Sequence, residues 1–279
     1  MTDLPPATDG GFARWLAQRA GDLLLKLREE MGYADPVALR KAGDRLSHEL
    51  LVAQLERWRP ADAVLSEEGA DSATRLSADR VWIVDPLDGT REFGEEGRAD
   101  WAVHVALWGR TSARITEYAG DGTPQPERAV GWGRLLAGAV ALPAQHCVLG
   151  TDAPPPFPPM PGVQGEPIRL AASRTRPPAL LAALAERLPI ELVPMGSAGA
   201  KIAAVIDGAV DAYVHAGGQY EWDSAAPVAV AVATGLHASR IDGTTLEYNQ
   251  PDPRLPDLVV CRKALAPQLL AAISASVAS

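Results

Sequence analysis

Residues 81–93, VWIVDPLDGTREF, place two aspartates directly after four apolar residues that favour a β-strand. The apolar run 81–84 predicts a buried strand, so Asp85 stands where that strand leaves the core. Pro86 predicts a turn that brings Asp85 and Asp88 to one side. Two ionised carboxylates about 4 Å apart repel by roughly 4 kcal/mol at an effective dielectric constant of ~20. The pattern therefore predicts either a shared proton or a bound cation, and hard oxygen ligands suit Mg²⁺.

The same residues also have an ordinary structural interpretation, which the sequence alone leaves open. In that interpretation Asp85 closes a strand and Asp88 caps a helix, because Asp and Gly are common in turns. Gly89 and Thr90 favour a functional interpretation, since N–H groups at a helix start are a usual place for a phosphate.

Three further acidic segments bear on this choice. Glu67 and Glu68 end the short apolar stretch VLSEEG, Asp223 opens the apolar segment EWDSAAPVAVAVA, and Asp44 lies in KAGDRLSHELL. Each one taken alone is typical of a solvated strand end or a helix cap. Taken together, acids at the ends of two buried strands and at one buried helix start are expected to converge at one edge of a sheet.

Composition limits the partners. The chain has 279 residues and a net charge of −9, which argues against a nucleic-acid polymer or an anionic membrane as the main partner. The longest uncharged apolar stretch, 225–236, is too short to span a bilayer, and the N-terminus does not resemble a signal peptide. Cys147 and Cys261 have no metal-type spacing, and two thiols indicate a reducing compartment. We therefore expect a cytoplasmic protein.

Hydrophobic periodicity predicts an α/β (α+β) fold. Two helices open the chain; the first ends at Gly32 and the second begins after Asp44. Strands are expected at 63–66, 81–84, 101–108, 168–172, 190–193, 210–215 and 258–261, a hairpin at 137–150, a hairpin around Asp242-Gly243, and helices at 178–187, 198–206, 224–234 and the C-terminus. The expected organisation is an N-terminal half at 1–151, a Pro-rich surface loop at 152–167 and a C-terminal half at 168–279, which together form one compact catalytic unit. Residues 117–128 are expected to form a polar loop.

The segments SEEG, DPLDGTREF, GSAGAK and EWDSAAP, in this order, resemble the inositol monophosphatase superfamily of metal-dependent, lithium-sensitive phosphatases. Arg91-Glu92-Phe93 after DPLDGT is similar to the 3′(2′),5′-bisphosphate nucleotidase branch of the CysQ type, which belongs to sulfate assimilation. The resemblance runs from about residue 20 to residue 261. It implies the layered αβαβα sandwich of the sugar phosphatases.

The resemblance also implies site residues. Two or three Mg²⁺ ions per active site would be held by Glu67, Asp85, the backbone carbonyl of Leu87, Asp88 and Asp223. Asp44 and Thr90 would form a pair that orients and deprotonates the attacking water, with Glu67 as a third catalytic residue. The implied substrate-binding residues are Gly89, Thr90, Ser173, Arg174, Gly196, Ser197, Lys201 and Tyr220, and Arg176 is either a substrate contact or a surface charge.

The function implied is hydrolysis, by metal-activated water, of the 3′-phosphate of 3′-phosphoadenosine 5′-phosphate (PAP) or its sulfated form (PAPS), to AMP or adenosine 5′-phosphosulfate. The alternative on the same scaffold is inositol monophosphatase or fructose-1,6-bisphosphatase activity, although Ala216 stands where inositol phosphatases carry an acid. A metal- or nucleotide-sensing binding module is a further alternative, which the complete acid set disfavours. The partner is a small phosphorylated molecule, and either a monomer or a homodimer is compatible with the resemblance.

Other phosphate-handling classes fit less well. A haloacid-dehalogenase-type phosphatase needs aspartates two residues apart, and here they are three apart. A P-loop protein needs a glycine loop followed by Lys-Ser/Thr, which the sequence lacks. The five histidines share no ligand spacing and are interpreted as core-edge or surface residues; they are His48, His104, His146, His215 and His237.

Overall fold

The computed structural model describes residues 4–115, 128–158, 166–175 and 177–277, whose helices and strands form a mixed α/β fold. In chain order the elements are α1 (Asp9–Met31), α2 (Pro36–Trp58), β1 (Ala63–Ser66), β2 (Arg80–Asp88), α3 (Thr90–Phe93), β3 (Ala102–Ile115), β4 (Arg128–Leu142), β5 (Cys147–Gly150), β6 (Ile168–Ser173), α4 (Ala179–Ala185), β7 (Ile190–Met195), α5 (Ala198–Asp207), β8 (Ala212–Ala216), α6 (Glu221–Thr234), β9 (His237–Ser239), β10 (Asp257–Cys261) and α7 (Ala266–Val277). Short 3₁₀ turns occupy Ala73–Ser77 and Pro143–Gln145.

The two opening helices have clear start and stop residues. Thr8 caps the start of α1, and Gly32 ends it with a φ of 61°, a left-handed value that favours glycine. The expected start of α2 after Asp44 is wrong, because Asp35 caps this helix and Pro36 occupies its first turn. Asp44 consequently lies in the interior of α2, where its side chain is available for contacts outside the helix.

The first sheet has the strand order β1-β2-β3-β4-β5, in which only β1 and β2 run parallel. The expected strand end at Asp85 is wrong. Asp85 pairs with His104, the ladder is interrupted, and pairing resumes with Asp88 opposite Ala102. Pro86 explains the interruption because it has no N–H to donate to the ladder. Both aspartates therefore sit on one strand, on either side of a bulge.

The second sheet has the order β7-β6-β8-β10-β9 and mixes parallel and antiparallel pairs. The turn at Asp242-Gly243 is present, and the Arg240 N–H donates to the Thr244 carbonyl at 2.8 Å. The hairpin expected around it is wrong, because residues 245–256 contain no named strand and β9 pairs with β10. Helix α6 begins at Glu221, three residues earlier than expected, and α4 is shorter than expected.

Five layers stack in the predicted order. Helices α1 and α2 cover one face of the first sheet, α5 and α6 lie between the two sheets, and α4 and α7 cover the outer face of the second. Apolar side chains fill each junction, and the layer between the sheets is lined by small residues such as Ala203, Ala225 and Ala226. The αβαβα sandwich is therefore confirmed.

Residues 152–158 contain no helix or named strand, as the Pro-rich composition predicts. Most of this stretch is exposed, but Pro158 is buried and its carbonyl accepts a hydrogen bond from Arg262 at 2.7 Å. The rest of the Pro-rich loop at 159–165 and the polar loop at 117–127 lie outside the described residues, and the proposed boundary between the halves stays a prediction. Within the described ranges, none of the helices has the length and apolar character required to cross a membrane.

One packing contact ties α2 to the DPLDGT turn and generates a prediction. A methyl group at Gly43 would come within 2.7 Å of Phe93 Cε1 and 2.9 Å of Leu87 Cδ2, both of which belong to buried side chains. We expect Gly43→Ala to lower the free energy of unfolding by about 1–3 kcal/mol through overpacking, despite alanine's better helix propensity. Urea denaturation measures this. Lys41→Ala on the exposed side of α2 is the control, and a Gly43→Ala protein at least as stable as the wild type would contradict this packing.

Candidate active site

Three aspartates from two separate elements meet beneath one cavity. Asp85 and Asp88 flank the bulge in β2, and Asp223 lies in the first turn of α6. One carboxylate oxygen from each lies within 4.8 Å of the others. Asp85 is 1% exposed and Asp88 is 8% exposed, so their charges have little access to bulk water. The Leu87 N–H donates to Asp85 Oδ1 at 2.9 Å, which fixes this side chain across the bulge.

The first turn of α5 holds Asp88 in place. Asp88 Oδ2 accepts the Ser197 hydroxyl at 2.5 Å and the Gly199 N–H at 2.7 Å. His104 is fully buried, with Nε2 at 3.4 Å from the same oxygen and Nδ1 donating to the Trp222 carbonyl at 3.0 Å. Gly199 is required here because a Cβ would lie 2.1 Å from His104 Nε2. The Ser197 and Gly199 donors leave Asp88 Oδ1 for other contacts.

Two further contacts bring Asp223 and Glu67 to the same place. The Tyr220 N–H donates to Asp223 Oδ2 at 2.6 Å, as expected of an acid at the third position of a helix. Glu67 follows β1, whose parallel pairing with β2 puts the ends of both strands side by side. The carboxyl groups of Glu67 and Asp85 are close enough for each to influence the pKa of the other. The expected convergence is therefore present for Asp85, Asp88 and Asp223, and the inclusion of Glu67 stays a prediction.

The proximity of these acids changes their pKa values. Burial is the largest cause in each case and raises the pKa of Asp223 to about 8 and that of Glu67 to about 7. The pKa of Asp85 is raised well above its usual range by burial, with the charges of Glu67, Asp88 and Asp223 as further causes. Protons or a cation are needed to make this cluster tolerable.

Asp44 and Thr90 form the predicted pair. Thr90 Oγ1 lies 3.3 Å from Asp44 Oδ1 and 3.0 Å from the Leu87 carbonyl, so its single proton is shared by two acceptors. Burial and, to a smaller extent, the charge of Glu68 raise the pKa of Asp44 to about 6, and the Thr90 hydrogen bond opposes this shift. Asp44 is thus a carboxylate that is ionised at neutral pH and yet close enough to that range to accept a proton.

A cavity of about 280 Å³ opens beside the aspartates. Its lining includes Asp88, Asp223 and three of the predicted substrate-binding residues, Ser173, Ser197 and Lys201. Lys201 is buried, its Nζ donates to the carbonyls of Gly196 at 3.0 Å and Ser197 at 2.8 Å, and burial lowers its pKa. Lys201 thus places a basic side chain in the cavity wall beside the acids.

The other predicted substrate-binding residues do not line this cavity. Gly89 has a φ of 85° and joins β2 to Thr90 at the start of α3. Arg174 pairs with Glu92 at 2.8 Å and with Glu95 at 3.0 Å, and the Gly196 N–H donates to Asp100 at 2.6 Å. The Tyr220 ring stacks on Trp222 with centroids 4.6 Å apart. Arg176 lies outside the described residues.

Sequence reasoning missed four side chains. Tyr213, His215 and Gln219 line the cavity, and His104 contacts Asp88 from β3. Alternation along β8 puts Tyr213 and His215 on one face of the strand, which is the only local signal for this pair. No sequence spacing connects His104 with Trp222, since 118 residues separate them.

The acid set suits a divalent ion. An octahedral Mg²⁺ with bonds of about 2.1 Å places opposite ligands about 4.2 Å apart. One carboxylate oxygen from each of Asp85, Asp88 and Asp223 lies within 4.8 Å of the others, which is close to this ligand-to-ligand distance. Oxygen ligands without nitrogen or sulfur favour Mg²⁺ over zinc. A buried acidic triad of this kind is thus able to bind a metal ion.

The chain is similar in sequence and in fold to known proteins. The sequence model of the inositol monophosphatase family matches residues 12–114 and 168–278. The "3'-phosphoadenosine 5'-phosphate phosphatase" of Mycobacterium leprae (strain TN) is 51% identical over 267 residues, covering 95% of this chain and 93% of that protein. The protein of the same name from Mycobacterium tuberculosis (strain CDC 1551 / Oshkosh) is 53% identical, covering 91% of this chain and 89% of that protein. The crystal structure of inositol monophosphatase II from Staphylococcus aureus MSSA476 has the same fold, with a TM-score of 0.70 at 21% identity and coverage of 94% and 91%.

The raised pKa values generate a prediction about stability. Asp85 and Asp223 keep protons in the folded state at pH values where the unfolded chain, with carboxyl pKa values near 4, has lost them. Because the folded state binds more protons, the free energy of unfolding falls as pH rises from about 4 to 8, by up to ~1.4 kcal/mol per pH unit for each group. We expect the melting temperature in EDTA to fall over this range, and saturating Mg²⁺ to remove most of the decrease.

The matched variant is Asp223→Asn, which keeps an acceptor for the Tyr220 N–H and removes the titrating charge. Its melting temperature should depend less steeply on pH than that of the wild type, whereas Glu56→Gln on the exposed side of α2 should keep the wild-type slope. A wild-type melting temperature that is independent of both pH and Mg²⁺ would show that the acids do not interact as described.

Proposed function

The chain belongs to the inositol monophosphatase family, and we propose that it is a Mg²⁺-dependent phosphatase that removes the 3′-phosphate of PAP or PAPS, with AMP or adenosine 5′-phosphosulfate as product. The observation that carries the proposal is the convergence of the Asp85, Asp88 and Asp223 oxygens beside the cavity that contains Lys201. The names of two relatives that share about half of their residues with this chain support the choice of PAP.

Two or three Mg²⁺ ions would be held by the four acids and one backbone carbonyl, namely Glu67, Asp85, Leu87, Asp88 and Asp223. Bound magnesium would supply the positive charge that makes a water molecule acidic near neutral pH and stabilises the phosphoryl oxygens. The chain's own residues determine where the acids face. Ser197 and Gly199 occupy Asp88 Oδ2 and leave Oδ1 for the ion, and the bulge at Pro86 points Asp85 and Asp88 to the same side.

Asp44 and Thr90 would move the proton of the attacking water. Thr90 Oγ1 donates toward Asp44 Oδ1, so a proton accepted by the hydroxyl oxygen can be passed to the carboxylate. An acid with a pKa of about 6 remains ionised at neutral pH and accepts that proton without a large energetic penalty. The N–H groups of Gly89 and Thr90 at the start of α3 would orient the phosphate.

Substrate ranking is the direct test. We expect kcat/KM measured with Mg²⁺ to be at least about tenfold higher for PAP than for inositol 1-phosphate or fructose 1,6-bisphosphate, because a difference of that size requires only one or two additional contacts. Lithium should inhibit all of the turnover, as is expected from the family. If either competitor is hydrolysed more efficiently than PAP, the substrate assignment is wrong, while Mg²⁺-dependent phosphate release would still support the reaction type.

The proton-transfer pair can be tested separately. Asp44→Asn keeps an acceptor for Thr90 but loses the charge, so kcat on PAP should fall by about 10²- to 10⁴-fold. The increase in melting temperature caused by Mg²⁺ should remain, because Asp44 is outside the proposed ligand set. Thr90→Ser retains the hydroxyl group and should retain most of the activity. Near-wild-type kcat in Asp44→Asn would remove Asp44 from the mechanism.

A further inference from the structure

One wall of the cavity is formed by a chain of hydrogen bonds that the proposed reaction does not use. His215 Nε2 lies 2.6 Å from the Gly217 carbonyl oxygen, and His215 Nδ1 lies 3.3 Å from the Tyr213 hydroxyl. That hydroxyl accepts a hydrogen bond from Gln219 Nε2 at 3.0 Å. All four residues line the cavity together with Asp88 and Asp223.

The donor and acceptor of each hydrogen bond in this series follow from the Gly217 carbonyl oxygen at its end. A carbonyl oxygen only accepts, so the proton of His215 is on Nε2. Burial lowers the pKa of His215, so the ring is neutral and Nδ1 is an acceptor for the Tyr213 hydroxyl. The tyrosine oxygen then accepts from the amide NH₂ of Gln219. The amide orientation is thereby fixed, with its carbonyl oxygen facing away from Tyr213.

That carbonyl oxygen, Gln219 Oε1, is buried and has no hydrogen-bond partner within the described part of the chain. The Gln219 residue is 6% exposed. A buried acceptor without a partner is unfavourable, because the water that solvated it in the unfolded chain is gone. Because the Gln219 residue lines the cavity, a ligand bound there is the nearest source of the missing donor.

The backbone at Gly217 and Gly218 supports the arrangement. Their φ values are 94° and 80°, which side-chain-bearing residues rarely adopt, and a Cβ at either position would meet nothing within 4 Å. Glycine is therefore needed for the backbone path and not for space. This path returns the Gly217 carbonyl to His215, where the chain of hydrogen bonds starts.

We infer that Gln219 is a specificity-determining residue whose Oε1 accepts a hydrogen bond from a donor on the nucleoside part of the substrate. The inference rests on the proposed function. PAP carries two kinds of nucleoside donor, the ribose 2′-hydroxyl and the exocyclic amino group of adenine. The cavity adjoins Asp88 and Asp223, and the 2′-hydroxyl is on the carbon next to the one that bears the cleaved phosphate. The 2′-hydroxyl is therefore the expected donor.

The test compares three substrates with the wild type and Gln219→Met. The substrates are PAP, its 2′-deoxy analogue and its analogue with unsubstituted purine in place of adenine. We expect the wild type to prefer PAP over the 2′-deoxy analogue by about tenfold in kcat/KM, and the variant to show a ratio near one, because the variant has no acceptor to leave unpaired. Gln18→Met on the exposed side of α1 is the matched control and should keep the wild-type ratio.

Tyr213→Phe tests the positioning role of the hydroxyl. Without the hydroxyl the Gln219 amide is no longer held in one orientation, so the ratio should fall to an intermediate value while the melting temperature change caused by Mg²⁺ persists. This variant also keeps the inference falsifiable if Gln219→Met does not fold.

The possible results separate the hypotheses. In Gln219→Met, the preference for PAP over the purine analogue could decrease while the preference for PAP over the 2′-deoxy analogue stays unchanged. This result would keep Gln219 as the acceptor and identify the amino group of adenine as the donor. The inference is overturned, and the proposed function left intact, if Gln219→Met keeps the wild-type kcat/KM ratios of PAP over both analogues. If Gln219→Met does not fold, the same result in Tyr213→Phe overturns the inference. A wild-type enzyme without activity on PAP removes both.

Discussion

Burial of mutually repelling carboxylates is the constraint on which the rest of this structure depends. An ionised carboxylate loses its hydration when it is buried, and like charges beside it add to that unfavourable energy. Asp85, Asp88 and Asp223 are nevertheless held together because each is fixed by a different contact, namely the Leu87 N–H, the first turn of α5 and the Tyr220 N–H. The hydrophobic layers fix those elements, so packing free energy maintains a cluster that protons or a cation must neutralise.

The layer order makes this cluster less unfavourable than three isolated acids would be. Helices α5 and α6 lie between the sheets, and both begin at the cluster, so the positive ends of their dipoles face the acids. Asp88 accepts two hydrogen bonds from the start of α5, and Asp223 is itself part of the first turn of α6. Lys201 adds a full positive charge one turn further along α5. Lys201 and the two helix starts therefore offset part of the negative charge of the acids.

The sequence was sufficient to predict what is encoded locally. The two aspartates of DPLDGT are three residues apart, Glu67 follows the neighbouring strand, and the alternation of strands and helices in the second half follows from hydrophobic periodicity. The order of the five layers was implied by the family resemblance and not by periodicity. The start of α2 was not predictable in this way, because Asp35 and Asp44 have equal capping ability and only the Pro36 position distinguishes them. The contact of His104 with Asp88, and the fixed orientation of Gln219, depend on partners that the fold brings together from several elements. Periodicity carries no information about such contacts.

Catalysis and recognition are organised differently in this site. The acids are oriented by backbone turns and helix starts, which tolerate changes elsewhere in the sequence. Gln219 is oriented by Tyr213, Tyr213 by His215, and His215 by the Gly217 carbonyl. None of these hydrogen bonds involves an acid of the cluster, so we expect a substitution among these residues to leave the acids in place. If Gln219 has the role inferred above, substrate preference can be altered through residues 213–219 while the Tyr220 N–H still holds Asp223, four residues beyond Gln219.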